Sequence, residues 1–317
     1  MKYRPKTIFL DQNKWIDLTH AFDRPDSNPD LFQLGTKLIE SVKSGSIIFP
    51  LTVNVLIETY KMGNDENRAK IAEVQAKFSQ GLVFRDRNIR LRHEITQFVR
   101  KCESLGTITL PTFWWLSRNF IEAFVDLPQA ISSFGLEPDQ LDGIQADPKR
   151  ALYHWVATAP QGERDLAMHM YNSGSDNLIQ RIESRMAKLR NENIHMRRKV
   201  YSAVLAIDEG SRILSVAKAI GVDWNGANDI GTQKLKSLMH EVPSYSIEIE
   251  LASRIESMNR PIQPNDLRDM QAYVSAIPYV DVIIGEKMFV NMALQAGLGK
   301  RFGCSISTKI LDLEKYI

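Results

Sequence analysis

Four acidic residues lie far apart in this chain, each beside an apolar run: Asp11 in TIFLDQNKW, Glu58 in IIFPLTVNVLIE, Asp269 in NDLRDMQAYV and Glu286 in YVDVIIGEKMF. Gathered in one place, such carboxylates suit a hard divalent ion, Mg²⁺ or Mn²⁺, which prefers oxygen ligands and keeps several waters. Zinc is poorly served, because the six histidines form no HxxxH or HxH pair and the two cysteines, Cys102 and Cys304, form no CxxC. Clustered carboxylates repel one another by on the order of several kcal/mol at an effective dielectric near ~20, so a cation must compensate them. That cation also supplies chemistry: it lowers the pKa of a bound water, aims the hydroxide at phosphorus and takes up charge on the leaving oxygen. The pattern therefore points to hydrolysis of phosphodiester bonds. Without the ion, at least one of the carboxyl groups is expected to ionise at a raised pKa.

Alternating strands and helices must position these groups. TIFL at 7 to 10 reads as a short buried strand, with Trp15, Leu18 and Phe22 following at helical spacing. Asn28-Pro29 has the form of a helix cap and first turn, and Leu31, Leu34, Leu38 and Val42 mark an amphipathic helix ending at Gly45. Ile47 to Phe49 is a second strand, Thr52 opens the helix that carries Glu58, Asn64 opens another, and LVF at 82 to 84 is a third strand. The order β-α-α-β-α-α-β predicts an α/β fold with a central, mainly parallel sheet and helices on both sides. From about 106 to 261 the periodicity turns helical, in PTFWWLSRNFIEAFVDL, in ERDLAMHMYNS and in one long run from Asp176 to about Ala206. The α/β pattern then returns, with a helix in NDLRDMQAYVSA, a strand in VDVII, a helix ending at Gly297 and a last strand in CSIST. The expected organisation is a sheet domain in two parts, 1–105 and 262–317, with an all-helical insertion over 106–261.

In open parallel sheets a residue directly after a strand faces the crevice beyond the strand ends, however distant in sequence. Asp11 follows IFL and Glu286 follows VIIG, while Glu58 lies six residues into the helix region after Thr52. Asp266 and Asp269 sit three apart on one helix, so one can cap it while the other binds metal; Asp269 leaves room for a helix, a turn and a strand before Glu286. Asp281 lies roughly 16 Å of extended strand from Glu286, which suits a structural role unless the strand bends there. Asn13 and Thr52 could orient the acids through hydrogen bonds, or simply start helices. Each acid also has an ordinary alternative: Asp11 as a helix cap, Glu58 as a surface helix residue. Lys14, Lys61, Lys287 and Arg301 lie near these motifs and could meet phosphates, although exposed lysines mostly serve solubility.

At these residues the sequence resembles the PIN-domain ribonucleases. The matching pieces are the strand ending in Asp11 with Asn13 (LDQNKWID), the strand leading through Thr52 to Glu58 (PLTVNVLIE), and the DLRDMQAYV and VDVIIGEKMF segments. The resemblance implies an acidic quartet of Asp11, Glu58, Asp269 and Glu286 that binds Mg²⁺ or Mn²⁺ and cleaves single-stranded RNA. It also implies an RNA substrate or single-stranded DNA, and a cognate inhibitor or a homodimer as partner. Gly285-Glu286 stands where the family often has Thr-Asp, so the fourth ligand is one methylene longer. The helical middle has no counterpart in the minimal family domain. Two other classes compete: a PIN-like module that binds RNA or protein without cutting, and a phosphatase that starts with strand-Asp. The phosphatase needs a second Asp two residues on, where this chain has Asn13.

Composition narrows the frame without naming a ligand. A chain of 317 residues, 44% hydrophobic and 25% charged, folds into one large or two small domains rather than staying disordered. Forty Lys+Arg against 38 Asp+Glu leaves a net charge of +2, so attraction to nucleic acid must come from local patches. The seven basic residues among 181, 185, 188, 190 and 197 to 199 are one such patch, more simply read as a solvated helix face. No signal-peptide pattern and no bilayer-spanning run appear, which predicts a cytoplasmic protein with no membrane partner.

Overall fold

The computed structural model describes residues 4–134, 137–165, 175–258 and 260–317. It is mostly helical around a small four-stranded parallel sheet, an α/β arrangement. By contacts the chain divides into two compact units: residues 1–86, 115–173 and 275–317 form one, and 87–114 with 174–274 the other. Set beside the sequence expectation, residues 115–173 cluster with the sheet and 87–105 with the helical unit.

In the first unit β1 (Lys6–Leu10) leads through α1 (Gln12–Asp23) and α2 (Pro29–Lys43) to β2 (Ile47–Ile48). Then come α3 (Val53–Tyr60), α4 (Asp65–Ser79) and β3 (Val83–Phe84). After the excursion into the second unit, β4 (Leu116–Ser117) and α5 (Pro148–Thr158) precede β5 (Val282–Ile284), α6 (Lys287–Gln295) and β6 (Ser305–Ser307). The sheet order is β2-β1-β5-β6, with every pair parallel. Ile8, Phe9 and Leu10 align with Val282, Ile283 and Ile284. All six are buried, as continuous apolar strands in the middle of a parallel sheet must be. β6 is only half-buried, and its SIS sequence fits an edge.

The expected third strand forms but does not join this sheet. β3 pairs antiparallel with β4 and touches the sheet's end only through a single bridge, Leu51 to Val83. β4 lies inside PTFWWLSRNFIEAFVDL, read from sequence as helix. Phe113 takes a left-handed backbone (φ 61°), and Asn119 caps only a short 3-10 turn at Phe120–Ala123, so this apolar run is buried as turn and strand. ERDLAMHMYNS lies partly outside the described residues. The long run after Asp176 is two helices, Ser175–Lys188 and Ile194–Asp208, separated where Asn193 accepts backbone N–H groups as a cap.

α3, the helix that carries Glu58, is held from both sides. Arg68 of α4 donates to the carbonyls of Met62 (2.9 Å) and Ala157 (3.2 Å), and the buried Arg164 donates to those of Met62 (3.0 Å) and Tyr60 (3.5 Å). These cations satisfy the carbonyls at the helix C-terminus and complement its dipole. Trp155 of α5 stacks on Tyr60, the ring centroids 4.5 Å apart and the planes 9° off parallel. Gly81 makes α5 fit: it has φ +77°, and a Cβ there would lie 2.5 Å from the Pro148 backbone.

The second unit is helical and keeps its charges paired. Arg87 lies between Glu209 (3.0 Å) and Glu248 (2.8 Å), which also accept from the hydroxyls of Tyr245 (3.0 Å) and Tyr201 (3.1 Å). A buried network of this kind is tolerable only when its members are satisfied together. Much of the basic patch is spent here too: Arg181 meets Asp208, Arg185 meets Glu256, Arg198 meets Glu250, and Arg197 donates to the Glu256 carbonyl. Arg185 and Arg197 are thus packed into the helical unit, where the sequence suggested a solvated helix face. Among the described residues no helix is long and apolar enough to cross a membrane.

Candidate functional site

β1 and β5 are neighbours in register, so the residues that follow them emerge side by side at one edge of the sheet. Asp11 is the first residue beyond β1, and its backbone N–H donates to the Ile284 carbonyl at 3.0 Å. The residue is 6% exposed. One oxygen accepts the Gln12 N–H (2.8 Å), capping α1, and the other accepts the Glu286 N–H (3.2 Å). One side chain thus caps α1 and ties it to the segment after β5, each oxygen bound by a different segment.

Burial pushes the Asp11 carboxyl up to about 6 from 3.8; the Gln12 and Glu286 N–H groups oppose this, while the nearby charges of Glu286 and Glu58 add to it. Asp11, Glu58 and Glu286 therefore share an electrostatic neighbourhood although up to 275 residues separate them. The Asn13 side chain donates to Glu286 Oε1, and the Lys61 ammonium lies 3.5 Å from Glu58. Among the described residues no group of three or more His, Cys, Asp or Glu side chains is arranged to hold a metal ion as it stands. Glu286 is turned to Asn13 and Glu58 to Lys61, so an ion would draw both acids from these partners by side-chain rotation.

Each remaining candidate has its own local setting. Asp266 is buried, forms a two-point pair with Arg260 (2.8 and 2.6 Å) and accepts the Gln263 N–H, so it anchors the start of helix Pro264–Ala276. Asp269 lies one turn further along that helix, half-buried, in the second unit. Asp281 sits at the opposite end of β5, where it accepts the Thr7 N–H (2.9 Å) and faces Lys6 at 3.6 Å. Thr52 spends its hydroxyl on the cap of α3, accepting from the Val55 N–H.

Sequence reasoning missed the polar knot behind the acids. Gln12 and Thr59, the neighbours of Asp11 and Glu58, bond to each other at 3.0 Å, and Gln75 of α4 bonds to Thr59 at 2.9 Å. Gln75 and Thr59 are fully buried. The knot ties α1, α3 and α4 together and so sets the spacing of two of the acids. The only sequence signal was a Gln at 75 among the core positions of its helix. Thr59→Val keeps the shape but strips the shared hydroxyl from two buried amides, and should lower unfolding free energy by about 1–3 kcal/mol. Urea denaturation checks this, with Thr59→Ser expected to stay close to the native chain.

No family model matches the chain, and no curated protein or solved structure matches it.

Proposed function

We propose that this chain is a PIN-like, metal-dependent nuclease acting on single-stranded RNA. The observation that carries the reading is Asp11: a carboxylate beyond the end of β1, bound to the Glu286 backbone and raised in pKa chiefly by burial, with the charges of Glu286 and Glu58 adding to it. An electrostatic debt of this kind is what a divalent ion relieves. The donors fit Mg²⁺ or Mn²⁺, being all carboxylate oxygen. Asp11, Glu58 and Glu286 would hold the ion, which when bound activates a water and takes up charge on the leaving oxygen.

The chain's own residues do the rest. The N–H groups of Gln12 and Glu286 fix both oxygens of Asp11, so that ligand is oriented before anything binds. The Gln12–Thr59–Gln75 knot sets α3 against α1. Water is the nucleophile, and no side chain forms a covalent intermediate.

A second reading, a PIN-like module that binds RNA without cutting it, draws on the engagement of Glu286 by Asn13 and of Glu58 by Lys61. Turnover separates the two. Purified protein with labelled single-stranded RNA, and a single-stranded DNA of the same sequence in parallel, is expected to cut the RNA with Mn²⁺ or Mg²⁺ and to stop with EDTA. Binding with no cleavage under either metal would favour the second reading.

A further inference from the structure

A hollow of about 550 Å³ is walled by α1, the start of α2 and the segment Thr308 to Leu311, with none of the acids in its lining. Its place follows from the topology. Ser307 ends β6 in register with Ile284, and its carbonyl accepts the Gly285 N–H at 3.0 Å, so Thr308 and Lys309 leave the sheet at the edge that carries Glu286. On the facing wall Lys14 donates its backbone N–H to the Asp11 carbonyl at 2.9 Å. The segment is also fixed: the Ser307 hydroxyl bonds Asp312 and accepts the Lys309 N–H at 3.1 Å.

The lining has two chemistries. Lys14, His20 and Lys309 bring cationic or protonatable groups, against one acid, Asp17, which is paired to Lys14 at 3.0 Å. Lys309 is exposed and has no ion pair among the described residues. Leu311, 45% exposed, offers an apolar patch in the same hollow. Cations for a phosphate beside an apolar surface for a base are what a nucleotide of a single strand needs, and the volume lies within the range of small-ligand sites.

We propose that this hollow seats a nucleotide of single-stranded RNA next to the phosphodiester presented to Asp11, with Lys309 on the phosphate and Leu311 against the base. The choice of RNA as occupant rests on the nuclease reading; the geometry of the hollow does not. The test is anisotropy of a fluorescein-labelled single-stranded RNA in EDTA, where cleavage cannot interfere, with wild type, Lys309→Glu and Leu311→Ser. Both positions are exposed, so the fold is expected to survive, with circular dichroism as the check. The expected result is Kd raised about tenfold in Lys309→Glu, with the slope of log affinity against log salt reduced by about 0.7 for the lost phosphate contact. Leu311→Ser is expected to weaken binding with the salt slope unchanged.

RNA binding lost in the variants, in a wild type that does not cleave with Mn²⁺, would support the hollow and end the nuclease reading. Cleavage by wild type with both variants binding RNA as tightly as it does would overturn the hollow alone. A wild type that binds no RNA overturns both. An acidic peptide that displaces the RNA and is itself lost in Lys309→Glu would assign the hollow to a protein partner and overturn the proposal.

Discussion

Asp11→Asn is expected to abolish RNA cleavage, by more than about a hundredfold, while leaving the fold intact. The size follows from the position. Losing a residue that merely supports a metal ligand costs roughly 10- to 100-fold, and Asp11 is the proposed ligand on which the others converge. The fold survives because asparagine is as good a helix cap as aspartate and can still accept the Gln12 N–H. Wild type and variant, purified in parallel and assayed with Mn²⁺ on the same labelled RNA, give the comparison; equal cutting by both would trace the activity to a contaminant.

The second large effect concerns the metal-free protein. A carboxyl raised from 3.8 to about 6 by folding favours the protonated state, so its stabilising contribution is complete below about pH 3.8 and is lost as pH rises through about 6. The gap corresponds to about 3 kcal/mol. Other carboxyl groups titrate in the same range, so the measurement is the difference between wild type and Asp11→Asn in urea denaturation with EDTA. Relative to the variant, wild type should weaken by about 2 to 2.5 kcal/mol between pH 4 and pH 7.5. Added Mn²⁺ should restore most of that loss at the upper end, by binding only the folded state. A difference that stays flat across this range would remove Asp11 as the strained carboxyl.

The strands and caps at this edge were readable because local rules decide them. TIFL lies within β1 and the VII of VDVII forms β5, both buried as apolar runs of this length suggest, and Asn28, Thr52 and Asn64 cap helices as their side-chain chemistry dictates. The stretch around Trp114 was misread because an apolar run shows burial and not backbone shape; one left-handed residue at 113 turns it into a corner. The strand at Val83 was found but not its antiparallel partner, which lies beyond an entire helix of the other unit. Asp11, Glu58 and Glu286 could be brought together on paper by the strand-end rule, whereas Asp266 and Asp281 needed coordinates to show which cation or N–H each serves. The Gln12–Thr59–Gln75 knot left almost no trace, since three polar residues on three helices have no spacing to betray them.

The central pairing of β1 with β5 also fixes when the proposed centre can assemble. The amide that binds Asp11 belongs to Glu286, made 275 positions later. At a synthesis rate of roughly 5–20 residues per second the two meet no sooner than about 14 to 55 seconds after Asp11 is made. A nascent chain therefore cannot assemble the proposed centre until Glu286 has been made and the sheet closes.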